Sequence, residues 1–194
     1  MTGGATRPAV FLDRDGVLTR EDEWVLRPDQ VELLPGAAAG VRALNLAGVP
    51  AIVVTNQSAV ARGWIDEEGL AAIHARLGEL LAEQGARVDA IYACPHHPTE
   101  GVGALRRACG CRKPEPGLLL RAAQERGLDL AASWMVGDAA RDVEAGRAAG
   151  AHAALVLSGK GHAERERIAP EPEIVTDRLD EAVSAILERM RQGR

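Results

Sequence analysis

Phe11-Leu12-Asp13-Arg14-Asp15-Gly16-Val17-Leu18-Thr19 is the stretch whose reading decides the fold. An apolar run, Ala9-Val10-Phe11-Leu12, ends in two carboxylates two residues apart and then a glycine. A short apolar run closed by Gly reads as a buried strand entering a loop. Residues i and i+2 of an extended strand point the same way. Asp13 and Asp15 are therefore expected at the carboxyl end of a strand, where open α/β sheets bind ligands. Two anionic groups so close repel unless a cation lies between them or one is protonated. Mg²⁺, which takes a few carboxylates together with waters and phosphate oxygens, suits such a place.

The rest of the chain supplies strands and helices in alternation. Strands are predicted near Ala9–Leu12, Ala51–Thr55, Ala90–Ala93, Trp134–Val136 and Ala153–Leu157. Helices are predicted near Gly36–Ala47, Asp66–Glu83, Pro116–Arg126, Ala140–Ala149 and Asp180–Arg191. That alternation implies a parallel sheet with helices on both faces. Asp66 before Glu67-Glu68 reads as an N-cap with acids in the first turn. Gly48, Gly127 and Gly150 each follow a helical stretch. Two segments break the rhythm, the polar Thr19–Gln30 and the Gly/Pro/His/Cys-rich Pro95–Pro114; loops this long in a domain are usually functional. Gly159-Lys160-Gly161 lacks the rest of a phosphate-binding loop pattern and reads as a plain loop.

The 194 residues suit one domain, 1–194, able to bury a real core. With 46% hydrophobic and 26% charged residues the composition is globular. A net charge of -5 and the lack of a basic tract give no reason to expect nucleic acid. No stretch reaches the length of a membrane span. Met1–Pro8 has no apolar core, so no signal peptide is expected and the location reads as cytoplasmic. No apolar stripe announces a partner helix, so a monomer is expected.

Three further motifs carry chemistry. Thr55-Asn56-Gln57-Ser58 closes the second strand with hydroxyl and amide groups able to bond a phosphate. Val136-Gly137-Asp138 puts a third acid after another strand, with Asp142 four residues on as a first-turn helix charge. Arg112-Lys113-Pro114 precedes a helix; the ammonium can offset clustered carboxylates, and the guanidinium can bind phosphate through two bonds. The three cysteines, Cys94, Cys109 and Cys111, all lie in the second irregular segment. An odd count in a cytoplasmic setting argues against a disulfide framework. With His96, which stands two residues from Cys94, they make a complete Cys₃His zinc set; His97 is the lesser candidate. Closed coordination leaves no open position for water, so such a zinc holds the 94–111 loop and does not catalyse.

Strand-D-x-D, strand-T, then Lys, then strand-G-D-x-x-x-D is an order that resembles the haloacid dehalogenase (HAD) superfamily. The Cys/His loop narrows the resemblance to its zinc-loop phosphatases, a group that includes heptose bisphosphate phosphatases and histidinol-phosphate phosphatases. It extends through Ala61-Arg62-Gly63 and Ile91–Pro98. The long spacer Pro98–Ala108, with Arg106 and Arg107, favours the heptose group; histidinol-phosphate phosphatase, or another small phosphosugar phosphatase, is the alternative.

The resemblance implies a HAD-like Rossmannoid three-layer sandwich without a large cap domain, and a phosphatase working through an aspartyl phosphate. It implies Asp13 as nucleophile, Asp15 as acid and then base, and Mg²⁺ on Asp13, the backbone carbonyl of Asp15 and Asp138. Thr55 and Lys113 would hold the phosphoryl group, and Arg112, Asn56 and Gln57 the substrate. Asp142 would support the metal loop from outside. The chain departs from the family in its 19–30 segment, where Trp24-Val25 takes the place of a Gly-Tyr-Val stretch, and at Ala139, where a Lys is frequent.

Overall fold

Ala9, Val10, Phe11 and Leu12 are fully buried, and their alternation assigns the two faces of the sheet. Val10 and Leu12 pack among Val41, Leu44, Ile73, Leu77, Val183 and Ile186 on one face. Ala9 and Phe11 pack among Ile52, Val54, Leu119, Met135 and Ala145 on the other. Burying each such Leu or Phe contributes about 1.5–3 kcal/mol. A strand covered on both sides must read as a continuous apolar run, and this one does.

The structure, a computed structural model, describes residues 6–21 and 24–192. Met1–Ala5, the first part of the N-terminal stretch, and Asp22-Glu23, inside the polar segment, lie outside the described residues. Six strands, β1 (Val10–Leu12), β2 (Ala51–Asn56), β3 (Ala90–Cys94), β4 (Trp134–Gly137), β5 (His152–Val156) and β6 (Ile174–Thr176), make one sheet. Its order is β3-β2-β1-β4-β5-β6 and every pairing is parallel. The helices are α1 (Ala37–Leu46), α2 (Ser58–Ala61), α3 (Glu67–Glu83), α4 (Gly117–Arg126), α5 (Ala140–Ala148), α6 (Gly161–Glu164) and α7 (Leu179–Gln192). Residues of α1, α3 and α7 build the first core and those of α4 and α5 the second, giving three layers. Strand β6 was not expected: Ile-Val-Thr is only three residues long and lies in a polar stretch, too short to show a period.

The connection from β1 to α1 carries a single 3-10 turn, Pro28–Gln30, and that from β2 to α3 only the four-residue α2. Among the described residues there is no inserted cap domain. None of the described helices is long and apolar enough to cross a membrane.

The strand order reverses between β1 and β4, and a crevice opens at such a reversal above the carboxyl ends of the strands. Leu12 stands beside Val136, and the N–H of Asp13 donates to the carbonyl of Val136 at 3.0 Å. The ladder thus runs one residue past β1 and delivers Asp13 next to Asp138.

Helix α3 starts as its sequence suggests, with an Asp66 Oδ1 accepting from the N–H of Gly69 at 2.8 Å. Asp66→Ala should lower stability by about 1 kcal/mol. Urea unfolding checks this, and the midpoint should move with the slope unchanged.

Candidate active site

Lys113 is the most deeply buried cation of the molecule's crevice, with a side chain 0% exposed. Its Nζ lies 2.9 Å from Asp13 Oδ1 and 2.7 Å from Asp142 Oδ1, and donates to the carbonyl of Val54 at 2.8 Å. Burial works against its charge, but Asp13 and Asp142 outweigh it, and the ammonium is held above its ordinary pKa. Its backbone is pinned by Asn56, whose Nδ2 donates to the Lys113 carbonyl and whose Oδ1 accepts from the Lys113 N–H, both at 3.0 Å. Asn56, read from the sequence as a substrate group, spends its amide on this contact.

Asp142, expected as a supporting helix charge, sits inside the cluster. Its Oδ2 accepts from the N–H of Ala139 at 3.1 Å, which turns the carboxylate back over the start of α5. A side chain at Gly137 would meet Asp142 Cβ at 2.1 Å, so the Gly of the G-D pair makes room for it.

Asp13, Asp138 and Asp142 bring carboxylate oxygens within 4.8 Å of one another. Burial, only partly countered by Lys113, raises Asp13 to about 6. Burial and the charge of Asp13 raise Asp138 to about 7. Asp138 Oδ2 accepts from the N–H of Lys160 at 2.8 Å, while its Oδ1 is buried with no hydrogen-bond partner. Gly16 has φ +83°, and a Cβ there would lie 2.1 Å from Asp138 Oδ2. Crowded carboxylates, raised pKa values and an unpaired buried oxygen fit an all-oxygen divalent cation site. The loop at Gly159-Lys160-Gly161 is therefore more than a connector: it roofs Asp138, and Lys160 Nζ pairs with Glu21 at 2.7 Å.

Asp15 is held apart from that cluster. Its Oδ1 accepts from Arg14 Nε at 2.8 Å and from Thr19 Oγ1 at 3.1 Å. Its Oδ2 accepts from Arg14 Nη2 at 2.9 Å and Gln57 Nε2 at 2.8 Å. Burial opposes the charge, but Arg14, Gln57 and Thr19 prevail and keep the carboxyl below its usual range. Gln57 also donates to Thr55 Oγ1 at 2.8 Å.

A cleft of about 700 Å³ opens over these groups, lined among others by Asp15, Gln57, Trp24, Arg112, Arg141 and Lys160. Arg112 Nη1 donates to the carbonyl of His96 at 3.1 Å. Arg141 Nη2 stands 3.9 Å from Asp13 Oδ2. Burial disfavours the Arg141 charge, yet Asp142, Asp13 and Asp138 hold it above its ordinary pKa. The sequence singles out none of Arg14, Arg141 and Lys160, although the first two lie inside marked motifs and the third in a stretch that reads as a plain loop. Arg106 and Arg107, the arginines of the long spacer, do not line the cleft. Arg107 instead reaches His96 Nε2 at 2.9 Å.

Below the cleft, four ligand atoms converge. Sγ of Cys111 lies 3.2 Å from those of Cys94 and Cys109, Cys94 Sγ lies 3.5 Å from Cys109 Sγ, and His96 Nδ1 lies 3.4 Å from Cys111 Sγ. No disulfide joins them. Sulfurs on a tetrahedral zinc stand about 3.7 Å apart, so the group needs little adjustment to hold one. His97 is turned away, its Nδ1 accepting from the N–H of Glu100 at 2.9 Å.

Comparison with known proteins agrees with this geometry. The HAD-hydrolase-like family model matches residues 110–182. The D-glycero-beta-D-manno-heptose-1,7-bisphosphate 7-phosphatase of Rhodopseudomonas palustris is 45% identical over 151 residues, 77% of this chain and 84% of that protein. The protein of the same name from Pseudomonas aeruginosa is 40% identical over 184 residues, 94% and 99% of the two chains. The crystal structure of D,D-heptose 1,7-bisphosphate phosphatase from B. bronchiseptica, complexed with magnesium and phosphate, superposes with a TM-score of 0.83 at 36% identity. It covers 94% of this chain and 99% of its own.

Two outcomes follow for metal and pH. A carboxyl raised from 3.8 to about 7 stabilises the fold fully below 3.8, and that contribution is lost as the pH rises through about 7. In magnesium-free buffer with zinc retained, stability should fall between pH 5 and 8 by about 3 kcal/mol, roughly 10 °C in Tm. Asp138→Asn should flatten that slope in a thermal melt. Cys109→Ser should abolish zinc retention, read as one zinc per chain lost in elemental analysis, and lower Tm by at least about 5 °C.

Proposed function

The chain belongs to the D-glycero-beta-D-manno-heptose-1,7-bisphosphate 7-phosphatase family of the HAD superfamily, and from that membership we propose how its own residues divide the reaction. It is a magnesium-dependent phosphatase acting on a heptose bisphosphate. The observation that carries the assignment of residues is the buried Asp13–Lys113–Asp142 group beside Asp138, beneath the floor of a cleft ringed by cations.

Asp13, Asp138 and the backbone carbonyl of Asp15 would hold magnesium, which when bound neutralises charge on the phosphoryl oxygens. Cys94, His96, Cys109 and Cys111 would hold a structural zinc below Arg112 and Lys113. Asp13 attacks phosphorus through Oδ2, because Oδ1 is occupied by Lys113 and by the N–H of Arg14 at 2.7 Å. As the bond from phosphorus to the sugar oxygen breaks, Asp15 gives that oxygen its proton. Asp15 is ionised in the resting site; the phosphate charge arriving beside it raises its pKa and lets it carry the proton. A water then passes a proton to Asp15 while its oxygen displaces Asp13 from phosphorus, which frees inorganic phosphate. Lys113 and the hydroxyl of Thr55 hold the transferring oxygens. Arg112, Arg141 and Lys160 face the cleft and favour the second phosphate of the substrate.

The beta anomer in the relatives' names supports D-glycero-beta-D-manno-heptose 1,7-bisphosphate as the preferred substrate over its alpha anomer and over histidinol phosphate. The same reading takes a monomer as the working unit. Thiols kept reduced for zinc suit a cytoplasmic place.

Phosphate release with Mg²⁺ should show the highest kcat/KM for the beta-heptose bisphosphate, and a preference for histidinol phosphate would overturn the substrate assignment. Asp13→Asn keeps the volume and removes the nucleophile, and turnover should fall to background. Asp15→Asn should lower kcat by about 10²–10⁴-fold.

A further inference from the structure

Arg14 is among the largest fully buried side chains of the molecule, 2% exposed, yet it lies within the cleft's wall. Its guanidinium meets Asp15 through two parallel bonds, Nε to Oδ1 at 2.8 Å and Nη2 to Oδ2 at 2.9 Å. Among the described residues Asp15 is the one carboxylate within ion-pair distance of it. Gln57 closes the arrangement. Its Oε1 accepts from Arg14 Nη2 at 2.9 Å, and its Nε2 donates to Asp15 Oδ2 and Thr55 Oγ1, each at 2.8 Å. The third nitrogen of Arg14, Nη1, is buried without a partner, as is Nε2 of His74 on α3. Burial and the charge of Arg14 lower His74 to about 4, so the imidazole beside it is neutral and offers no second counter-charge.

Burying a guanidinium with an unpaired nitrogen is a poor way to stabilise a fold, because desolvation offsets much of the attraction. A two-pronged fork is a good way to hold a carboxylate in one plane. We propose that Arg14 and Gln57 are positioning residues for the acid–base step, orienting the carboxylate of Asp15 toward the leaving oxygen and then toward water. This rests on the assignment of Asp15 as that acid and base. On this account Gln57, read from the sequence as a substrate contact, spends its amide on Arg14, Asp15 and Thr55. A carboxylate released from the fork is still present and loses its aim. A misplacement of about 1 Å can cost on the order of 10²-fold in rate.

The test compares single and double variants in the magnesium-dependent phosphatase assay with heptose bisphosphate. Arg14→Lys keeps a charge but loses the fork, and should lower kcat by about 10–100-fold with KM within about threefold. Gln57→Leu, which leaves the buried guanidinium in place, should lower kcat about tenfold. In an Asp15→Asn background neither change should lower kcat further, since both act through Asp15. A merely structural role would give equal losses in both backgrounds, together with a fall in Tm, and would overturn the inference. If Asp15→Asn alone retained wild-type kcat, the acid–base assignment would fail and the inference with it. If Asp15→Asn lost activity while Arg14→Lys and Gln57→Leu both kept it, the inference alone would fail. Should Arg14→Lys not fold, Gln57→Leu in the two backgrounds decides the matter.

Discussion

The buried ammonium of Lys113 is the constraint on which the rest of the crevice depends. A charge removed from water is tolerable only with counter-charges and hydrogen bonds around it. Here the partners come from different parts of the chain: Asp13 after β1, the carbonyl of Val54 within β2, and Asp142 in the first turn of α5. Meeting them fixes three elements and the loop before α4 against one another. One ammonium does not neutralise three carboxylates, and the surplus of negative charge near Asp138 is what makes room for a divalent cation.

Position is secured from behind as well. Asn56 grips the backbone of Lys113 from β2, while Cys111, the last member of the Cys/His cluster, lies two residues before it in the chain. Arg112 ties the two together through the carbonyl of His96. A zinc held there would brace the loop that carries Arg112 and Lys113. Trp24, which lines the cleft, is held from outside: the guanidinium of Arg62 stands 5.2 Å from the ring centre of Trp24 and 5.0 Å from that of Trp64, and pairs with Glu100. Three loops meet at that one side chain, from the 19–30 segment, the α2–α3 turn and the spacer before Cys109.

Two carboxylates only two residues apart behave differently for reasons visible in their surroundings. Asp13 is dry and near other acids, so its proton is held more tightly than usual. Asp15 is bound by a guanidinium, an amide and a hydroxyl, so it stays ionised. On the assignment proposed above, the first surroundings suit a cation and attack on phosphorus, and the second suit moving a proton.

The sequence by itself determined the layers, five of the six strands, the five long helices to within a residue or so at each end, and the ligand set of the Cys/His cluster. Those are written locally: in the continuous apolar run Ala9–Leu12, in the N-cap Asp66, and in the spacing of Cys94, His96, Cys109 and Cys111. Tertiary structure alone decided which polar side chains face one another. Asp142 looked like a helix-end charge until Lys113, 29 positions earlier in the chain, was folded against it. Arg14 and Arg141 sit inside marked motifs and Lys160 in a plain-looking loop, but charged residues in loops usually face water, and nothing in their spacing shows that these turn inward. Gln57 and Asn56 both line the cleft, and only the fold shows that their amides also bond Arg14, Asp15 and the backbone of Lys113. Strand and helix periods follow from neighbours along the chain, whereas the pairing of buried charges follows from contacts across it, and only the closed sheet brings those partners within reach.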